Sequence, residues 1–227
     1  MNASYRAPDS SRRYVLDEVR RADRERFLAA LFAPEPRRSG LLALLAFDHE
    51  LARTRHVARE PMLARIRHEW WREACVEAAG SGKPRAQPVV ESLSETARRH
   101  GLTAADLIAL VDAREDEVDG PLDVLRVGHA LADLELAVLG VSDGPTREVA
   151  RKIGAAWLMG GGPERDALLS DARAARSGID QKALPILLPA LSQPRGLARV
   201  RAIVARWLDH TGAAAGGGCL WIAAASE

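Results

Sequence analysis

Pairs of carboxylates four residues apart on a helix are the groups in this sequence best suited to bind a divalent cation. Such a pair projects from one face of a helix, and hard oxygen ligands suit Mg²⁺. Asp112 and Asp116 have this spacing. They lie within residues 101–143, which hold ten acidic and two basic side chains, and further acids crowd around them. We interpret this cluster as a solvated helix end rather than a metal site.

Other residue types that carry chemistry form no recognisable motif. The six histidines have neither His-x-x-x-His nor Cys/His zinc spacing, and no Gly-x-Ser-x-Gly nucleophile elbow is present. The glycine run 160–162 lacks the Gly-Lys-Ser/Thr ending of a phosphate-binding loop. Cys75 and Cys219 are too few for a disulfide framework, which favours a reducing compartment.

The composition predicts a helical protein. The 227 residues are 47% hydrophobic and only 4% aromatic, and 32 basic residues nearly balance 31 acidic ones. Ala and Leu dominate, which favours helices over a sandwich or barrel. Basic and acidic residues alternate, as in Arg20–Arg26, so we predict ion-paired helix faces and no nucleic-acid partner. The longest apolar run, Leu41–Phe47, is too short to span a bilayer, and the N-terminus resembles no secretory or transit signal.

Apolar periodicity and turn residues predict an all-α fold. We expect residues 1–12 to be a flexible N-terminus, residues 13–211 to be one helical domain, and residues 212–227 to be a Gly/Ala-rich tail. The predicted helices cover about 10–32, 38–59, 61–79, 89–99, 103–117, 121–140, 144–159, 163–176, 181–192 and 195–210. Trp70 and Trp71 on the third of these helices are interpreted as a packing pair.

Three stretches of the sequence carry a resemblance to a known family. They are Asp23–Phe47, Glu50–Arg53 and Glu60–Glu73. Together they resemble the squalene/phytoene synthase family, and most closely its divergent branch that includes a mitochondrial complex I assembly factor. The resemblance is specific across residues 20–75 and extends through about residue 192. It implies a terpenoid-synthase-like helical bundle with a central cavity, here expected to be shortened at its C-terminus.

The same resemblance implies a test for catalysis. Working members of the family condense two prenyl diphosphates head to head, using Mg²⁺ held by two Asp-rich helical motifs. The metal bridges to the diphosphate and stabilises the charge that grows as it leaves. In this sequence the acid positions of the first motif, counted from Ala46 and Phe47, are occupied by Ala52, Arg53 and His56. The first motif is therefore degenerate.

Two acids close to the first motif remain. Asp48 and Glu50 are kept as residual candidates for the cavity. Asp48 lies four residues before Ala52, so only one member of that helical pair could bind a metal. We interpret both acids as caps or as ion-pair partners of Arg53 or Arg55 rather than as metal ligands.

The second motif is degenerate as well. Its counterpart, Ile153–Gly162, is apolar and glycine-rich where acids are needed, and contributes only Trp157 as a cavity candidate. Asp166 and Asp171 lie downstream, but five residues on a helix separate them by about 140°. Neither degenerate motif is expected to bind a metal.

These observations predict a degenerate member of the family. We expect a non-catalytic binding or assembly scaffold with no catalytic residue, no metal and no cofactor. Its expected partners are a protein or a membrane-associated complex and an isoprenoid lipid, and its expected location is cytoplasmic or peripheral at a membrane. The alternative is an Mg²⁺-dependent prenyltransferase that condenses prenyl diphosphates head to head and uses Asp48, Glu50 and displaced acids such as Asp166. A basic helical regulator that binds DNA is the least favoured reading.

Overall fold

The chain folds as a bundle of α-helices. The computed structural model describes residues 5–57, 60–175 and 178–191, with the backbone alone at 55–57 and 189–191. Over these residues it contains ten α-helices, two short 3-10 helices and no strand, so the all-α prediction is confirmed there. The α-helices are α1 (Asp9–Ala22), α2 (Arg24–Ala30), α3 (Arg37–Val57), α4 (Pro61–Ala79), α5 (Pro88–His100), α6 (Ala104–Glu115), α7 (Val124–Leu139), α8 (Gly144–Leu158), α9 (Pro163–Ala174) and α10 (Leu184–Leu191), and the 3-10 helices are Asp116–Val118 and Gln181–Ala183.

Helix α3 lies at the centre of the bundle. Its apolar run Leu41–Phe47 is buried at every position, because α1, α2, α4, α5, α6 and α7 all contact this helix. A helix that is hydrophobic on all sides is stable only when protein surrounds it. Asp48 follows this run and is buried with it, so its carboxylate requires a partner inside the protein.

Helices α7 and α8 pack backbone to backbone. A Cβ on Gly128 would lie 2.3 Å from the backbone nitrogen of Ala155, and a Cβ on Gly154 would lie 2.6 Å from the carbonyl oxygen of Gly128. Glycine is therefore required on both helices at the crossing. Gly154 belongs to the degenerate second motif, and its role in this structure is to let α8 approach α7.

The first helix differs from its prediction, because residues 10–32 form two helices. Asp23 has φ −143° and ψ 80°, which ends α1, and its side chain accepts a hydrogen bond from the backbone N–H of Arg26 at 2.9 Å. An aspartate in this position caps the next helix. The surrounding charged residues are good helix formers, so the sequence pattern conceals the break.

The N-terminal segment, predicted to be flexible over residues 1–12, is described from residue 5 onward. Helix α1 begins at Asp9, the backbone N–H of Ala7 donates to Glu95 Oε2 at 2.9 Å, and the Ser11 hydroxyl donates to Glu91. Residues 5–12 are therefore packed on α5, because these buried donors find carboxylate acceptors there. The predicted helix 195–210, the domain boundary at 211 and the tail 212–227 lie outside the described residues.

Candidate functional site

A small cavity, partly open to solvent, lies between α2, α3, α7, α8 and α10. Its volume is about 30 Å³, which is room for about two water molecules. Its apolar lining includes Leu41, Leu45, Leu131, Ile153 and Ile186. Its polar lining consists of Arg26, Glu135 and Trp157.

Arg26 is held at the polar end of the cavity by an aspartate and an indole ring. Its Nε donates to Asp23 Oδ2 at 2.5 Å, and its guanidinium carbon lies 5.6 Å from the centre of the Trp157 ring. The Trp157 Nε1–H donates to the same Asp23 oxygen at 3.1 Å. Charge-assisted hydrogen bonds and a cation–π contact thus join the start of α2 to the end of α8.

Asp48 is neutralised inside the protein by arginine. Its side chain is 1% exposed, and Arg114 of α6, 5% exposed, donates to Oδ1 from Nε at 2.9 Å and from Nη2 at 2.5 Å. Arg26 Nη2 lies 3.8 Å from the other carboxylate oxygen. Asp48 does not pair with Arg53 as predicted, because the buried face of α3 turns it toward α2 and α6, whereas Arg53 contacts Glu50. The side chain of Arg55, the other predicted partner, lies outside the described residues.

Glu135 of α7 is the third acid of this buried cluster. Burial raises the pKa of its carboxyl to about 7, Arg26 opposes that rise, and Asp48 and Asp23 add to it. Near neutral pH this carboxyl is about half protonated, so Asp23 and Asp48 supply most of the negative charge that faces Arg26 and Arg114. The cluster is close to electrically balanced and offers little excess charge to attract a divalent cation.

The protonation of Glu135 is expected to appear in the pH dependence of stability. Its folded-state pKa of about 7 lies above the ordinary value of 4.5, so the folded state binds the extra proton between these two pH values. Stability is therefore lost as the pH rises from about 4.5 to about 7, by about 3 kcal/mol. Urea unfolding of the wild type and of Glu135→Gln at pH 5 and pH 8 measures this loss. The free energy of unfolding of the variant, relative to that of the wild type, should be higher at pH 8 than at pH 5 by about that amount. An equal difference at both pH values would contradict a buried carboxyl with a raised pKa.

The other sequence-predicted site residues lie away from this cluster. Glu50 accepts a hydrogen bond from Arg53 Nη1 at 2.9 Å and from the Tyr14 hydroxyl at 3.4 Å, which is the ion pair that the sequence predicts for Glu50. Ala52 is half-buried, and Arg53 is exposed. The His56 side chain lies outside the described residues. Of the candidates, the structure brings together Asp48 and Trp157, joined through Arg26.

Sequence reasoning misses four members of the cluster, namely Asp23, Arg26, Arg114 and Glu135. One signal was available for Glu135, which lies four residues after Leu131 on the apolar side of α7. A single acid on the apolar side of a helix indicates a buried carboxyl. The arginines carry no comparable signal, because the sequence contains many arginines on solvated faces.

The acids at the end of α6 do not converge on a cation. Asp112 accepts a hydrogen bond from Arg72 Nε at 2.9 Å, and Asp116 pairs with Arg126. Both side chains are exposed to solvent, in agreement with the interpretation as a solvated helix end. Over the described part of the chain, no three His, Cys, Asp or Glu side chains are arranged to hold a metal ion.

Comparison with known proteins identifies the class. The squalene/phytoene synthase family matches residues 19–159, which is more than half of the chain. The chain therefore belongs to the squalene/phytoene synthase family, as its sequence resemblance indicates. No solved structure matches the chain significantly.

Three of the relatives are mammalian proteins with the same name. NADH dehydrogenase (ubiquinone) complex I, assembly factor 6, from Bos taurus is 31% identical over 153 residues, covering 63% of this chain and 46% of the relative. The protein of the same name from Homo sapiens is 31% identical over 152 residues, covering 63% and 45%. The Rattus norvegicus protein is 33% identical over 158 residues, covering 66% and 47%. The chain thus spans about half the length of the curated relatives it matches.

Among the helices of the described residues, none combines the length and the apolar composition needed to cross a bilayer.

Proposed function

We propose that this chain is a non-catalytic member of its family and acts as a scaffold in the assembly of a respiratory NADH dehydrogenase. The observation that carries the proposal is the double arginine contact of Asp48. This acid, four residues before the first position of the degenerate motif, is bound by Arg114 and approached by Arg26. Its role is to stabilise the core rather than to hold a metal.

Electrostatics supports the loss of metal chemistry. A divalent cation at Asp48 would lie beside two guanidinium groups and would have to displace Arg114, leaving that arginine buried without a partner. The second acid of a helical pair is absent, because residue 52 is alanine. We infer that the cluster has no affinity for Mg²⁺ at physiological concentration and that the protein needs no cofactor.

The size of the cavity supports the same conclusion. A farnesyl chain has fifteen carbons, whereas the cavity holds about two water molecules. Entry of such a chain would require α7 and α8 to separate at the glycine crossing or α10 to move away. A bound isoprenoid lipid is therefore the least supported of the predicted partners.

The relatives support the assembly role. Proteins named NADH dehydrogenase (ubiquinone) complex I, assembly factor 6, from three mammals match about two thirds of this chain. We propose a protein partner within the assembling complex and a location in the cytoplasm or at the surface of the membrane that holds that complex.

Deletion of the gene in its native host tests this proposal. We expect the amount of assembled NADH dehydrogenase to fall several-fold, measured by native gel electrophoresis with an in-gel NADH oxidation stain. The wild-type gene should restore it, and so should Glu50→Gln combined with Asp166→Asn, because the scaffold needs neither acid. Normal complex levels in the deletion strain would contradict the assembly role. Failure of the double variant, at normal protein level, would favour the prenyltransferase alternative.

A further inference from the structure

The Glu135 carboxyl differs from the other acids of the buried cluster in its hydrogen bonding. Asp23 accepts hydrogen bonds from Arg26, and Asp48 accepts them from Arg114. The Glu135 side chain is 9% exposed, and only charge interactions, without a hydrogen bond, connect it to the described part of the chain. Buried polar groups in folded proteins nearly always have a hydrogen-bond partner, either in the protein or in ordered water.

The cavity that Glu135 lines has room for such a partner. Its volume is about 30 Å³, and it is partly open to solvent, so that about two water molecules could enter and fit. Cavities lined only by apolar groups stay dry, whereas a buried water is held by hydrogen bonds to polar groups. Here the polar lining of Arg26, Glu135 and Trp157 faces an otherwise apolar wall.

Arg26 has hydrogen-bond donors left for the cavity. Its Nε–H donates to Asp23, and its Nη2 lies 3.8 Å from Asp48 Oδ2, which is too far for a hydrogen bond. A guanidinium carries more N–H groups than these contacts use. The single N–H of the Trp157 ring already donates to Asp23. A molecule in the cavity would therefore accept from Arg26 and donate to Glu135.

The charges around the cavity favour a neutral molecule. Arg26 lowers the pKa of the Glu135 carboxyl, whereas Asp48 and Asp23 raise it, so charges of both signs act on this site. His49, also close to Arg26, has its pKa lowered by burial and is neutral near pH 7. The residues that α8 and α10 contribute to the lining carry no charge. A cation would meet the guanidinium, and an anion would meet the carboxylates.

We propose that the cavity is a hydration site in which one or two water molecules bridge the Glu135 carboxyl to the Arg26 guanidinium. Water is a neutral molecule of the required size that both donates and accepts hydrogen bonds. The bridging water accepts from Arg26 and donates to the ionised carboxylate, and it accepts from the carboxyl when Glu135 is protonated. Because the cavity is partly open, the proton that leaves Glu135 passes to this water and from there to bulk solvent.

Filling the cavity tests the proposal. Ala150 of α8 lines the cavity and is 3% exposed, so Ala150→Val places two methyl groups where the water would bind. Filling a dry cavity stabilises a protein, whereas displacing a water leaves the polar groups without a partner. We expect Ala150→Val to raise the equilibrium constant for unfolding at pH 8 by about tenfold, measured by urea unfolding of the full chain.

Two matched backgrounds separate hydration from simple overpacking. Methionine is similar in length to glutamate but has no carboxyl, so in Glu135→Met the same Ala150→Val change should be neutral or stabilising. Glutamine keeps a group that needs water, so in Glu135→Gln the change should again be destabilising. Overpacking by the added methyl groups would appear in every background. Equal effects of Ala150→Val in the wild type and in Glu135→Met would overturn the proposal.

A crystal structure of the wild-type protein at pH 8 gives a direct measurement that does not depend on any variant. We expect electron density for water within hydrogen-bond distance of both the Glu135 carboxyl and the Arg26 guanidinium. A cavity without such density would overturn the proposal. An anomalous peak beside Glu135 in crystals soaked with Mn²⁺ would assign the site to a cation, against both the hydration site and the loss of metal chemistry. The unfolding results do not bear on the assembly role, which complex levels in the deletion strain test separately.

Discussion

Replacing Asp48 by asparagine is expected to lower the free energy of unfolding by about 3–5 kcal/mol, because it leaves the buried Arg114 charge without an anionic partner. Arg114 is 5% exposed and donates to this one carboxylate from both Nε and Nη2. Urea unfolding followed by circular dichroism at pH 7 measures the change. A loss of this size identifies Asp48 as a structural residue.

Two further variants test whether the loss of stability in Asp48→Asn comes from the unpaired Arg114. Asp48→Asn combined with Arg114→Met should recover much of the loss, since a buried pair replaced on both sides leaves no uncompensated charge. Glu50→Gln is the matched control on the same helix and should cost less than about 1 kcal/mol, because Arg53, its partner, is exposed to solvent. Asp48→Asn with wild-type stability but lost Mg²⁺-dependent diphosphate binding would contradict the structural role.

Replacing Gly128 by alanine is expected to destabilise the fold by about 3 kcal/mol or more, since the added methyl group has no room. Its Cβ would lie 2.3 Å from the Ala155 nitrogen and 2.6 Å from the Ala155 Cα, and backbone atoms of a packed helix cannot move aside as a flexible side chain can. Thermal and urea unfolding of the purified variant measure the effect. If the variant does not accumulate, Gly154→Ala provides a second measurement of the same crossing.

The control for the glycine crossing is Gly144 at the start of α8, the helix that Gly128 of α7 contacts. Gly144 has no atom within 4 Å of an added Cβ, so Gly144→Ala should change stability by less than about 1 kcal/mol, in the stabilising direction. Equal effects of Gly128→Ala and Gly144→Ala would contradict the backbone contact between α7 and α8.

Much of the fold could be predicted from local signals. Pro61 begins α4 at the predicted residue, and Gly101 and Gly140 end α5 and α7 in the left-handed conformation that favours glycine. The apolar run of α3 predicted a helix that is buried in the protein, because the run is too short to span a membrane. These signals act over one or two helical turns, and so a single sequence contains them.

The partners within the site could not be predicted, because they depend on distant segments. Asp48 and Arg114 are 66 residues apart, and Asp23 and Trp157 are 134 apart. Each pair meets only once the helices have packed, and many arginines in the sequence could have been the partner of Asp48. The exposure of Met62, Leu63, Ile66 and Trp70 on α4 was missed for a related reason. Their periodicity is that of a buried stripe, and only the structure shows that the opposite side of α4 faces the core.

The proposed loss of prenyltransferase activity rests on the buried cluster and on the glycine crossing. Arg26 binds Asp23 and Arg114 binds Asp48 in the buried cluster, and the α7–α8 contact brings two walls of the cavity close together. The same interactions that would prevent prenyl diphosphate binding stabilise a rigid helical body.

The measurement that tests the absence of prenyltransferase chemistry most directly is pyrophosphate release from farnesyl or geranylgeranyl diphosphate by the purified chain in millimolar Mg²⁺. We expect release no faster than in a control without protein, and no head-to-head condensation product by mass spectrometry. Sustained Mg²⁺-dependent release of pyrophosphate, accompanied by such a product, would contradict the proposal that the buried acids pair with arginine instead of binding Mg²⁺.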